Sequence, residues 1–438
     1  MDIRLDYGKQ GLDVTLPDHL NIRTLSYKVA TPVADQPNQS DRAALQEVFD
    51  SPTDTPPLSE IIQGRSSACI VICDITRPVP NQLILEPLLE ALHAGGITPG
   101  NVKILIATGL HRPSRPEEIL EMVGADIAAK YTIINHDAQD QNQLVFLGKS
   151  PRGIPMWINT HYMEADLKIS VGLIEPHFMA GFSGGRKLIC PGIAGLETIR
   201  DWHIPRFLEH PQAATGQLKG NPVHSENTWI ANRAGCDFIV NVVIDAHRRP
   251  LKFVAGDQLS AFQEGVDFCR DIVVDRVEQE YDIVITSSAG YPLDTTFYQS
   301  VKGMMAAVPI VRSGGTIIMA ASMSEGIGSP EFASLFDRHP DIDDFMVEIM
   351  SPEYFVMDQW QLEMLAKVLR KAEVKVVTDG LPAETINKLY VDSAESVELA
   401  VQEAVAKHGE DTSVSYTHLR AHETPEQLGW PDQLDKKK

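Results

Sequence analysis

Residues 175–192, EPHFMAGFSGGRKLICPG, hold the densest set of chemistry-bearing side chains in the chain. His177 is followed by Ser183, Gly184, Gly185, Arg186 and Lys187. Glycines allow backbone N–H groups to approach an anion closely, and a helix starting there adds its dipole. Arg186 and Lys187 add cationic donors. The run has the character of a phosphate cradle without being a GxxxxGK[ST] loop. The same letters equally suit a glycine-rich turn with solvated cations.

Other segments carry related chemistry. In DITRP, Asp74 and Arg77 flank Thr76; an Asp can orient a base, and an Arg can clamp a carboxylate bidentately. The bland alternative is a helix cap beside a surface Arg. TGLHRP supplies His111, and DWH supplies His203, an imidazole suited to nickel, zinc or iron but outside any standard metal spacing. YPLDTTFYQSVKG carries Tyr298, Gln299 and Lys302 at helical spacing. Gln299 and Lys302 could polarise a carbonyl or alkoxide oxygen, or simply belong to an amphipathic helix.

These segments need elements to position them. Residues 68–75, ACIVICDI, form a continuous apolar run of the kind expected in a strand buried on both faces. Residues 83–93 are amphipathic and stop at Gly95-Gly96. Residues 102–108 predict the next buried strand, Ser114 to Glu117 fit a capping box, and 167–171 predict a strand leading into the EPHF segment. Ligands of open α/β sheets bind beyond the C-terminal strand ends, so Arg77 and His111 are expected at one sheet edge. A second set follows: strands at 281–288, 315–322 and 374–379, with helices after Asp294 and near 360–371. The first residues read as strands and turns, with a helix near 41–49, and 200–275 as a bridging region. The expected architecture is two α/β domains, 1–275 and 276–411, with mainly parallel sheets and a cofactor cleft between them. Residues 412–438 read as an atypical tail; SYTHLRAHETPE resembles translated sequencing-adapter sequence, stands where a closing strand and helix belong, and is assigned no function.

Composition narrows the function. A formal charge of −22 argues against a nucleic-acid partner. No run of about 18 apolar residues suggests a membrane span, and the N-terminus lacks the pattern of a signal peptide. The five cysteines are scattered without a CxxC pair and read as reduced thiols of a cytoplasmic protein. An anionic substrate must be met by local cations that overcome the global field.

The ordered, joint presence of DITRP, TGLHRP, EPHFMAGFSGGRKLICPG, DWH and YPLDTTFYQSVKG strongly resembles the nickel-pincer-dependent lactate racemase family. The resemblance reaches from the N-terminus to about residue 400. It implies a racemase or epimerase of a 2-hydroxyacid that proceeds through a 2-keto acid by proton-coupled hydride transfer. It implies a pyridinium mononucleotide carrying sulfur groups that grip nickel, tethered to Lys187 through a thioamide, and hence dependence on cofactor-biosynthesis enzymes. His203 is then the protein ligand to nickel, and His111 and His177 are the paired acid/base residues. Arg77 binds the substrate carboxylate with help from Gln299 and Lys302, while Tyr298 and Trp360 shape the pocket. Asp74, Thr76, Ser183, Gly184, Gly185 and Arg186 join Lys187 in the cofactor region, Asp74 also supporting the histidines. A lactate-like substrate is expected; a diacid would need an extra cation, for which Arg112 and Arg186 are candidates. Two other classes stay open: a metal-dependent hydrolase or lyase using His177, His203 and a carboxylate, and a non-catalytic protein that binds a phosphorylated ligand. The oligomeric state is left open.

Overall fold

A computed structural model describes residues 1–25, 30–36, 40–245, 247–273, 276–351, 353–417 and 430–431. The chain divides into two compact units, Ala30–Arg270 and a second made of Met1–Val29 with Asp271–Lys438. Each is an α/β unit built on a six-stranded sheet.

In the Ala30–Arg270 unit the strand order is Pro250–Gly256, Phe238–Ile244, Leu167–Leu173, Ala68–Cys73, Val102–Ala107, Thr132–Asn135. All neighbours run parallel except the Pro250–Gly256 edge strand. The ACIVIC run is buried at every position, as its unbroken apolar character requires. From Ala68–Cys73 the chain builds outward through Val102–Ala107 to Thr132–Asn135, then returns to place Leu167–Leu173 on the other side of the same strand. Ala68–Cys73 and Leu167–Leu173 therefore flank the switch point, where open parallel sheets leave a crevice beyond their C-terminal ends.

The second unit has the order Asp392–Ser393, Ala372–Val377, Val311–Ala320, Tyr281–Ser287, Ser413–Thr417, Asn21–Leu25, all parallel. The antiparallel pair Asp2–Leu5 and Leu12–Thr15 places Ile3, Leu5 and Val14 in one core cluster with Ile283, Ile285, Ile318, Val401 and Val414. Each such side chain removed from water contributes about 1.5–3 kcal/mol.

Four expectations are corrected here. The boundary 1–275 is redrawn, because Asn21–Leu25 pairs with Ser413–Thr417 and joins the second sheet. The supposed bridging region supplies two strands of the first sheet. The tail begins with an inner strand, since Ser413–Thr417 lies between Tyr281–Ser287 and Asn21–Leu25; most of the remainder, 418–429 and 432–438, lies outside the described residues. The capping box sits one residue later: helix Pro116–Val123 has Arg115 as its cap, and Glu118 accepts the Arg115 N–H at 2.8 Å. Among the described residues no helix is long and apolar enough to cross a membrane.

Candidate active site

Three neighbouring strands of the Ala30–Arg270 sheet end in chemistry-bearing segments. Ala68–Cys73 leads to Asp74, Thr76 and Arg77; Val102–Ala107 leads to His111; Leu167–Leu173 leads to Glu175 and His177. Asp74 is 5% exposed. Its Oδ1 accepts the Thr76 N–H at 3.1 Å and the Thr76 hydroxyl at 2.6 Å. Its Oδ2 lies 2.6 Å from His111 Nδ1. Burial pushes the Asp74 carboxyl up, but the His111 charge, the hydrogen bonds from His111 and Thr76 and the Arg77 charge together hold it below the usual carboxylate range. The Asp74 carboxylate orients the His111 ring through Nδ1, and in the tautomer with its proton there Nε2 has the lone pair that can accept a proton.

His177 is held differently. It is buried, and its Nδ1 accepts the N–H groups of Met179 and Ala180, each at 3.2 Å. Backbone amides can only donate, so the neutral ring carries its proton on Nε2. One histidine is thus set to take a proton, and the other presents an N–H.

Arg77 meets a partner that the sequence reading did not single out. Its Nε lies 2.8 Å from Glu175 Oε1, an ion pair rather than an aligned hydrogen bond. Glu175 stands at the switch point directly after a strand, which is the signal that could have found it.

The SGGRK loop differs from the anion cradle expected of it. The Ser183 N–H donates to the Glu175 carbonyl at 2.8 Å, and the Lys187 N–H to the Gly184 carbonyl at 3.1 Å. The Gly185 N–H donates to Asn241 Oδ1 at 2.8 Å. These donors are spent inside the protein, and the turn Gly185–Leu188 is too short to supply a helix dipole. Arg186 is 1% exposed, donates to the carbonyls of Ala180 and Gly184 at 2.8 and 3.4 Å, and stacks on Phe262 at 4.5 Å. Burial draws its guanidinium down to about 9, and its Nε has no partner. Arg186 therefore braces the loop that carries Lys187. Asn241 was missed; its signal is a lone amide within the apolar strand FIVNVVI.

The Lys187 charge acts on His203. His203 is buried, and its Nδ1 donates to the Ile199 carbonyl at 2.9 Å. Burial pulls its pKa down to about 3; the Ile199 bond opposes this and the Lys187 charge adds to it. A neutral imidazole whose Nδ1 proton is engaged by a carbonyl offers Nε2 as a donor, the usual arrangement of a metal-ligating histidine. Among the described residues no three His, Cys, Asp or Glu side chains form a metal-binding group.

The remaining expected residues belong to the second unit. Thr296 caps helix Phe297–Ala307 by accepting the Gln299 N–H at 3.2 Å. Lys302 is buried, and Gln299 Oε1 is buried without a hydrogen-bond partner. Tyr298 and Trp360 meet: the Trp360 Nε1–H donates to the Tyr298 hydroxyl at 3.1 Å. Burial and the nearby Asp358 charge push the Tyr298 phenol well up, so it stays protonated.

Comparison with known proteins gives the family. The lactate racemase N-terminal domain family matches residues 7–216, and the lactate racemase C-terminal domain family matches 276–418. The chain is 35% identical over 421 residues to a lactate racemase of Thermoanaerobacterium thermosaccharolyticum, covering 94% of this chain and 96% of the relative. It is 34% identical to a lactate racemase of Lactiplantibacillus plantarum, covering 94% and 97%. The lactate racemase apoprotein structure from T. thermosaccharolyticum superposes with a TM-score of 0.87 at 33% identity, covering 96% of this chain and 99% of that one. A Thermotoga maritima protein at 16% identity shares the fold, with a TM-score of 0.71 over 92% of this chain and 99% of that one. The chain belongs to the lactate racemase family, a family of isomerases.

Proposed function

We propose that this chain racemises lactate and closely similar 2-hydroxyacids, using a nickel-pincer nucleotide tethered to Lys187. The observation that carries the reading is the state of His203: a buried, neutral imidazole whose Nδ1 is engaged by Ile199 and on which the Lys187 charge acts. The donor set fits the group, with Lys187 as tether and His203 as the protein's nitrogen ligand. Ser183, Gly184, Gly185 and Arg186 serve it by shaping the loop, given that three of the loop's N–H groups are already bonded within the protein. When bound, the cofactor supplies reversible acceptance of the substrate's Cα hydride.

The chain's own residues do the rest. Arg77 anchors the substrate carboxylate. His111 Nε2 takes the hydroxyl proton, and Asp74 stabilises the imidazolium that results. His177 Nε2–H hydrogen-bonds the same oxygen from a second segment, and the proton held on His111 goes back to that oxygen when the hydride returns. Gln299, Lys302, Tyr298 and Trp360, all of the second unit, are proposed substrate-binding residues. Retention of the carboxylate on Arg77 lets the keto acid turn its other face without leaving.

The test uses chain co-expressed with cofactor-making enzymes. Intact mass should rise at Lys187 with nickel bound, and enantiopure lactate should become racemic in a chiral assay. Cofactor-replete protein with unmodified Lys187 and no racemisation sinks the proposal.

A further inference from the structure

We propose that Glu175 is a positioning residue for Arg77, a buried counter-ion that sets how tightly the site grips a carboxylate. This rests on the reading of Arg77 as the substrate's carboxylate anchor. The two residues follow Ala68–Cys73 and Leu167–Leu173, adjacent parallel strands that flank the switch point of the sheet. Glu175 Oε1 lies 2.8 Å from Arg77 Nε, with side chains 3% and 14% exposed respectively. Such a pair interacts strongly because little water screens it, and loss of one partner leaves the other charge uncompensated. The Glu175 backbone accepts the Ser183 N–H at 2.8 Å, so the same residue links the Arg77 segment to the loop bearing Lys187.

The consequence is electrostatic as well as geometric. A carboxylate that reaches Arg77 meets a cation already partly neutralised. Tight ground-state binding does not raise turnover. Glu175 weakens the resting grip on the anion and holds the guanidinium in one place while the substrate's other atoms move. The neutral variant Glu175→Gln leaves Arg77 more attractive to anions but less well placed.

The test titrates the apo chain with propanoate, the non-reactive deoxy counterpart of lactate, by calorimetry, and uses propanoate as an inhibitor of the cofactor-loaded enzyme. Glu175→Gln should bind propanoate about tenfold tighter, and both kcat and KM for lactate should fall. In an Arg77→Met background the same substitution should leave propanoate affinity unchanged. Glu175→Asp, which keeps the charge but shortens the reach, should tighten binding a few fold. Unchanged or weaker affinity in a cooperatively melting Glu175→Gln protein overturns the proposal, as does a gain that survives without Arg77. If Glu175→Gln does not fold, Glu175→Asp decides, and unchanged affinity there overturns it. Absence of racemisation by loaded wild type counts against the function proposed above, while the apo titration still reads the role of Glu175.

Discussion

At the residue scale the Asp74–His111 pair is the most exposed to experiment. Asp74→Asn preserves shape but removes the charge that orients the His111 ring, and kcat for lactate should fall by about 100-fold. The pair also leaves a mark on stability. The Asp74 carboxyl is held below its ordinary value of about 3.9 in the folded chain. Its contribution is therefore present above that ordinary value and is lost as pH falls through the lowered folded one. Thermal melts of wild type and Asp74→Asn should converge on acidification; a gap that widens toward acid would contradict the assigned ion pair. The two histidines are bound by thermodynamics as well. Lactate enantiomers are equal in free energy, so kcat/KM must be equal in both directions for every variant. His111→Ala and His177→Ala should each lower both directions together, despite their different hydrogen bonding. Wild-type racemisation by both variants would end the two-histidine mechanism. His203→Ala should lose nickel, measured by elemental analysis, while the mass adduct on Lys187 persists; nickel retained at wild-type stoichiometry would remove His203 as the ligand.

At the element scale the SGGRK loop depends on close packing against strand Phe238–Ile244. Gly184 has φ +83°, and an added Cβ would stand 2.8 Å from Asn241 Oδ1 and 2.9 Å from the Leu173 carbonyl. Gly184→Ala should cost about 1–3 kcal/mol in chemical denaturation and slow Lys187 modification. A variant with wild-type stability and loading would mean the loop is not braced this way. The same loop shows what the sequence could and could not say. Glycines beside cations signalled a specialised turn, but whether their N–H groups face a ligand or the protein depends on Asn241, 56 residues farther along. The strands were legible because unbroken apolar runs fit burial on both faces, and the DITRP and TGLHRP segments were legible because they directly follow such runs. Glu175 stood in plain view beside His177. Its role could not be read, since only the adjacency of Ala68–Cys73 and Leu167–Leu173 brings it to Arg77.

At the scale of the whole molecule the informative feature is the route of the chain. Apolar runs reveal strands but not their sheet, because parallel neighbours are joined through distant crossovers. Asn21–Leu25 therefore looked like the start of the first domain, yet it completes the second sheet beside Ser413–Thr417. This difference is open to fragment analysis. A fragment spanning 30–270 retains all six strands of its sheet and should give a cooperative melt. A fragment spanning 276–411 lacks two of six strands and the Asp2–Leu5 and Leu12–Thr15 pair. It would expose Ile283, Ile285, Val397 and Val401, which are buried in the full chain, and such a surface favours aggregation over a unique fold. Circular dichroism and amide exchange should find 276–411 unfolded or aggregated, and extension to Thr417 with residues 1–25 supplied in trans should restore protection in Tyr281–Ser287. A stable, protected 276–411 fragment would return the boundary to where the sequence alone had placed it.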